Sequence, residues 1–79
     1  MNEKTRDIYK EYLIKFGRNL CAERNRLGLS QDELGENASI DGRYVSRIER
    51  GEINPTLTTI IALLKATNLD FDDLCKIKD

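Results

Sequence analysis

The chain has 79 residues, of which 39% are hydrophobic and 34% are charged, and its formal net charge is -1. This length and this balance are typical of one small folded domain and exclude a disordered chain. The amino terminus has no apolar run of the kind found in signal peptides, and no stretch is long enough to cross a membrane. We therefore expect a single cytoplasmic domain over residues 1–79.

The residue types that carry most enzyme and metal chemistry are scarce. The sequence has no histidine, no glycine-rich phosphate loop, and no serine or cysteine beside a base. Its two cysteines, Cys21 and Cys75, fit reduced apolar side chains in a cytoplasmic protein better than a disulfide or a redox switch. We expect no catalytic activity, no cofactor and no metal site.

The first predicted helix covers about residues 4–27 and ends at Gly28. Apolar side chains recur at every fourth position, which is the pattern of a helix with one buried face. They are Ile8, Tyr12, Phe16 and Leu20. Gly17 lowers the helix propensity in the middle of this segment, so the helix could bend or break there. Residues 1–14 are then an N-terminal helical extension of the domain.

The second predicted helix covers residues 31–38 and has a strong start signal. Ser30 can accept a hydrogen bond from the amide of Glu33, and the Glu33 side chain can accept one in return, which is a capping box. Ser39 follows in a sharp turn of the kind that often needs a positive φ. Serine in that conformation costs on the order of 1 kcal/mol.

The third predicted helix covers about residues 42–50, with Asp41 as its N-cap and Gly51 as its stop signal. Val45 and Ile48 form its apolar side. The opposite side is a polar stripe about two turns long. Its members are Arg43, Ser46, Arg47 and Arg50.

Two further helices are predicted after a loop that Pro55 keeps out of helical conformation. One covers residues 57–67 with Thr56 as its N-cap, and a short one follows Asp70. Their apolar side chains are core first of all, but so small a bundle is marginally stable alone, and we also expect a two-fold interface. The candidates for that interface are Ile61, Leu69, Phe71 and Ile77.

The second and third helices with their turn form a helix-turn-helix arrangement, whose second helix can enter a DNA major groove. Three segments carry a closer resemblance: residues 27–34 (LGLSQDEL), 44–51 (YVSRIERG) and 54–57 (NPTL). In order and spacing they resemble the Cro/lambda-repressor-type, or XRE-type, regulators and the controller proteins of restriction–modification systems. The resemblance covers about residues 15–75 and implies an all-α five-helix bundle of the lambda-repressor-like DNA-binding type.

The resemblance also implies roles for individual residues. Gln31 matches the family's phosphate-binding glutamine, and Arg24 and Glu49 match a buried ion pair between the first and third helices. The positions that face base edges or phosphates are matched by Gly42, Arg43, Tyr44 and Arg47. The polar stripe adds Ser46 and Arg50, the latter as a phosphate contact because it lies at the far end of the helix.

As a whole, the resemblance implies a homodimer that binds a palindromic operator in double-stranded DNA. Since no sequence follows the bundle, we expect no small-molecule ligand domain. The chain departs from the family pattern at Ser39, Gly35 and Thr67, where a glycine, an alanine and a leucine are usual. These departures remove no DNA contact, but they predict modest stability.

Other interpretations of these residues stay open at this point. An exposed arginine stripe is usually a solvated helix face, and Tyr44 fits a core-edge aromatic as well as a DNA contact. The acidic pI of about 5.4 favours a second hypothesis, an antitoxin-like or scaffold module that binds another protein. Local charge favours DNA instead, because residues 42–50 carry three arginines and one acid. Within the class of DNA-binding regulators, a repressor, a phage-type switch and a restriction–modification controller all fit these residues.

Overall fold

The computed structural model describes residues 3–74, with side chains over residues 8–73. Cys75, Ile77 and the first two residues of the predicted extension lie outside the described residues. The described part of the chain has five helices and no strand, as predicted: α1 (Glu3–Arg26), α2 (Gln31–Ala38), α3 (Gly42–Glu49), α4 (Leu57–Thr67) and α5 (Phe71–Leu74). Within that part, no helix combines the length and the apolar character that a membrane crossing needs.

One apolar cluster joins the first four helices. Its fully buried members are Leu20 of α1, Leu34 of α2, Val45 and Ile48 of α3, and Leu63 of α4. Helices of eight residues, such as α2 and α3, do not hold together alone, so this shared core stabilises them. Because α3 buries one side in the cluster, its polar stripe faces solvent.

The apolar face predicted for α1 is buried only in the second half of the helix. Phe16 and Leu20 are buried and Tyr12 is half-buried, but Ile8 is 60% exposed, so the predicted burial of Ile8 is wrong. At 24 residues, α1 is more than twice as long as any other described helix. The exposed Ile8 lies in the first two turns of this helix, ahead of the part that packs in the core.

The helix α1 is continuous through Gly17, so the alternative of a break at this residue is wrong. Gly17 is buried against α3, where a Cβ atom would overlap the carbonyl oxygen of Ile48 and lie 2.5 Å from that of Glu49. Glycine is therefore required because the backbones of α1 and α3 approach each other closely.

The starts of α2 and α3 are fixed by side-chain caps. The Ser30 hydroxyl accepts from the Glu33 amide at 3.0 Å, and the Glu33 carboxylate accepts from the Ser30 amide at 2.9 Å, so the predicted capping box forms. The bond from the Ser30 amide lowers the pKa of Glu33. Asp41 caps α3 by accepting from the Arg43 amide at 2.7 Å. These caps satisfy amides that a helix start otherwise leaves unpaired.

Two of the three departures from the family pattern fit their positions well. A Cβ at Gly35 would lie 2.5 Å from the carbonyl oxygen of Ile40, so the turn after α2 leaves no room for alanine. Thr67 is buried, and its hydroxyl donates to the carbonyl oxygen of Leu63 at 2.8 Å. Ser39 alone of the three adopts a positive φ, of 59°.

We expect Ser39→Gly to raise the free energy of unfolding by about 0.5–1 kcal/mol, because glycine adopts the left-handed conformation without a Cβ clash. Chemical denaturation measures the change. The matched control is Asn68→Gly at the end of α4, where φ is 56°. Asparagine tolerates this conformation better than serine, so the control should gain less. A loss of stability at Ser39 would contradict the explanation.

Candidate nucleic-acid interface

An open groove lies between the start of α2 and the outer side of α3. Its volume is about 380 Å³, and it is lined by Gln31, Asp32, Gly42, Arg43, Ser46, Arg47 and Arg50. Six of these seven residues are ones that the sequence predicts to contact DNA. The two helices bring them together because both have their apolar sides in the same core.

The arginines of the groove are directed outward. The side chains of Arg43, Arg47 and Arg50 are 92%, 54% and 57% exposed. None of the three is folded back into the interior. The planar guanidinium group of an arginine in this position can reach a base edge or a phosphate without a rearrangement of the core.

Tyr44 is the predicted DNA contact that does not line the groove. It is half-buried, and its side chain packs against the apolar cluster. Of the two interpretations that the sequence leaves open, this geometry favours the core-edge aromatic.

Gly42 lines the groove for a steric reason. A Cβ at this position would overlap the carboxylate of Asp32 and lie 3.0 Å from the Asp32 Cα atom. The glycine therefore allows the start of α3 to pack closely on α2. The sequence predicts a base or phosphate contact for Gly42, and the structure adds this packing role, which depends on a residue ten positions away.

Glu49 connects the bundle to the groove. Arg24 Nε lies 2.7 Å from Glu49 Oε2, and Arg24 Nη2 donates to Oε1 at 3.1 Å. The two side chains are only 12% and 5% exposed. The hydrogen bond to this carboxylate raises the pKa of Arg24. Gln31 Nε2 also donates to Glu49 Oε1, at 3.0 Å, so Glu49 both links α1 to α3 and orients the glutamine of the groove.

Acidic side chains pair with all three arginines of the groove. Arg43 donates to Asp41, with Nη2 to Oδ2 at 3.1 Å, and this hydrogen bond lowers the pKa of Asp41. The Glu52 carboxylate lies 2.7 Å from Arg50 Nε and 3.7 Å from Arg47 Nε. The charge count over residues 42–50 sets these three arginines against a single acid, Glu49. That count leaves out Asp41, just before α3, and Glu52, just after it, which are the acids that pair with the arginines.

Comparisons with known proteins place these observations in a family. Residues 22–74 match the sequence model of a family described as helix-turn-helix. The chain belongs to this helix-turn-helix family. The match includes α2, α3 and the turn between them, which are the elements that form the groove. Most of α1 precedes the matched residues.

Individual relatives agree with the family match. Control protein C.SmaI from Serratia marcescens is 42% identical over 50 residues, which are 63% of this chain and 60% of C.SmaI. The chain thus spans about three-fifths of the length of that relative. The HTH-type transcriptional regulator y4dJ from Sinorhizobium fredii is 33% identical over 58 residues, which are 73% of this chain and 75% of y4dJ.

A solved structure shows the same fold. The restriction-modification controller protein C.AhdI from Aeromonas hydrophila matches with a TM-score of 0.77 at 37% identity. The match covers 78% of this chain and 94% of C.AhdI. These findings confirm the resemblance drawn from the three sequence segments and the all-α architecture that it implied. The matched proteins are named as a control protein, an HTH-type transcriptional regulator and a restriction-modification controller protein.

Proposed function

We propose that this helix-turn-helix protein is a sequence-specific transcriptional regulator that binds double-stranded DNA with α3 in the major groove. The observation that carries the proposal is the groove itself, where six residues predicted for DNA binding converge on one exposed surface. The major groove of B-DNA admits an α-helix, and the polar side of α3 faces outward. The core behind α3 holds the helix in place for docking.

The proposed contacts divide between bases and phosphates. Arg43 and Arg47 are one helical turn apart, and a guanidinium can bind O6 and N7 of guanine together. Ser46 and Arg50 are assigned to the adjoining base edges and phosphates. Gln31 lies at the amino-terminal end of α2, where the helix dipole favours anions. Its Nε2 carries two hydrogens, so it can donate to a phosphate as well as to Glu49.

The protein is further proposed to act as a cytoplasmic homodimer on a palindromic operator. Two candidate interface residues, Ile61 and Phe71, are 43% and 52% exposed, and Leu69 is half-buried. Leu57, one turn before Ile61 on α4, is 65% exposed. Leu57 and Ile61 lie on the same side of α4, and a contiguous exposed apolar surface of this kind marks an association site. A two-fold axis then sets the two α3 helices about 34 Å apart, one turn of B-DNA.

Control of a restriction–modification system is a further role that we propose, because C.AhdI is named as a restriction-modification controller and C.SmaI as a control protein. A gene for an endonuclease or a methyltransferase beside its own would support this assignment, whereas integrase-like neighbours would support a phage-type switch.

Selection from a pool of random DNA duplexes at two salt concentrations tests the proposal. We expect an enriched palindrome and an affinity that falls as salt rises, because basic side chains displace counterions from DNA. Failure to enrich any sequence, with no salt dependence, would contradict the proposal and favour a protein-interaction module.

Arg47→Ala is expected to weaken binding to the selected operator by about 1–3 kcal/mol and to relax specificity at one base pair. Gln31→Ala should instead weaken binding to all sequences by a similar factor, because a phosphate contact does not read sequence. Fluorescence anisotropy with operator variants measures both effects. The control is Arg18→Ala, at an exposed position of α1 outside the groove lining, which should retain the affinity. A uniform loss for Arg47→Ala would contradict base contact.

A further inference from the structure

We propose that Glu52 competes with DNA for Arg47 and Arg50, and thereby sets how well the protein discriminates its operator from other DNA. This inference rests on the proposed function. Glu52 is a positioning residue in this account, since it contacts the arginines that are proposed to contact DNA.

The geometry around Glu52 is that of one carboxylate between two guanidinium groups. Its Oε2 atom lies 2.7 Å from Arg50 Nε, and its Oε1 atom accepts from Arg50 Nη2 at 3.4 Å. The same Oε1 atom lies 3.7 Å from Arg47 Nε. All three side chains are about half exposed, so a phosphate or a base edge can replace the carboxylate without any unfolding.

The backbone places Glu52 beside the arginines. Gly51 has φ of 72°, and its amide donates to the carbonyl oxygen of Ile48 at 3.0 Å. The Glu52 amide donates to the carbonyl oxygen of Arg47, also at 3.0 Å. These two bonds are the Schellman motif that ends α3. The motif fixes the Glu52 backbone at the end of the arginine stripe.

The fold gains little from a carboxylate in this place. A negative charge at the carboxyl end of a helix is unfavourable, because the helix dipole already makes that end negative. Ion pairs that are half exposed also contribute little to stability. The effect of Glu52 therefore lies in what it does to the arginines.

Glu52 weakens the two modes of DNA binding to different extents. Non-specific binding depends on the basic charge that is free to replace counterions, and Glu52 neutralises about one arginine of the groove. Operator binding depends in addition on an ordered Arg47, and the carboxylate restricts the positions that this side chain samples. Loss of Glu52 therefore raises the affinity for non-specific DNA by the whole effect of the freed charge. The affinity for the operator rises less, because Arg47 is then less ordered before it binds.

Glu52→Gln tests this difference. At about 0.15 M salt, the release of one more counterion raises the binding constant about fivefold and steepens the salt slope by about 0.9. We expect that change for a random duplex, and a rise of less than about twofold for the selected operator. The matched control is Glu36→Gln, the same change of charge at an exposed residue of α2 outside the groove lining, and it should change neither affinity appreciably.

Three results would overturn the inference. The two variants Glu52→Gln and Glu36→Gln could have the same affinities for both duplexes, in which case the net charge of the protein alone would explain the change. The affinities for random and operator duplexes could rise by the same factor, which would remove the role in discrimination. A clear drop of the melting temperature in Glu52→Gln would show that the carboxylate is structural. Each of these results overturns the inference while the wild-type protein still selects an operator. The proposed function fails in a different way, when the wild-type protein selects no operator at all.

Discussion

Arg24→Ala is expected to lower the free energy of unfolding by about 3–5 kcal/mol. The change removes two hydrogen bonds to Glu49 and a third, from Arg24 Nη1 to the carbonyl oxygen of Leu29 at 2.8 Å. It leaves the Glu49 carboxylate, only 5% exposed, without its cation. An unpaired buried charge is expensive because the protein interior solvates it poorly. Chemical denaturation monitored by circular dichroism measures the loss.

Arg26 offers a matched control in the same turn of α1. Its Nε atom lies 2.7 Å from Glu23 Oε2, the same distance as in the pair of Arg24 with Glu49, but the Arg26 side chain is 60% exposed. Arg26→Ala should therefore cost only about 0–1 kcal/mol. Similar losses for the two alanine variants would show that burial is not the cause.

The double variant Arg24→Met, Glu49→Met separates stability from the proposed DNA contact. Replacing both charges by apolar side chains should recover much of the stability that Arg24→Ala loses. Gln31 loses its partner in this variant, so affinity for all DNA sequences should still fall. Recovery of both stability and affinity would contradict the orienting role of Glu49.

Gly17→Ala is expected to lower the free energy of unfolding by about 2–3 kcal/mol, because overpacking at a contact between backbones forces them apart. The added Cβ would overlap the carbonyl oxygen of Ile48 and lie 2.5 Å from that of Glu49. Helix propensity alone predicts the opposite sign, a gain of about 1 kcal/mol. Thermal or chemical unfolding decides between the two by the sign of the change.

Ala22→Gly calibrates the propensity effect in the same helix. Ala22 is exposed, so this change should cost about 1 kcal/mol through propensity alone. A stabilised Gly17→Ala variant, with a gain equal to the Ala22→Gly loss, would show that α1 and α3 tolerate a methyl group between them.

The helices of this protein follow from signals that lie within a few residues of each other. The residue ranges predicted for α2 and α4 are those observed, and the predicted limits of α1 and α3 differ by one residue. Capping boxes, stop glycines and the 3.6-residue period act over one or two turns, so they can be found in the sequence. The positive φ of Ser39 was predicted for the same reason.

Most residues of the candidate interface could be predicted because the third helix is amphipathic. An amphipathic third helix buries Val45 and Ile48, so Arg43, Ser46, Arg47 and Arg50 must share the opposite side. The family resemblance then added Gln31 and Gly42. Tyr44 was left with two interpretations because its surroundings come from another element, the apolar core, which the third helix alone does not show.

By itself, the sequence determined the helix limits, the caps and the polar side of α3, because each depends on residues within about four positions. The tertiary structure alone decided that Gly17 has to be a glycine, that Glu49 holds Gln31 as well as Arg24, and that Ile8 stays exposed. Arg24 and Glu49 are 25 positions apart. Contacts over such separations depend on how helices cross, and a crossing is set by the packing of many side chains at once.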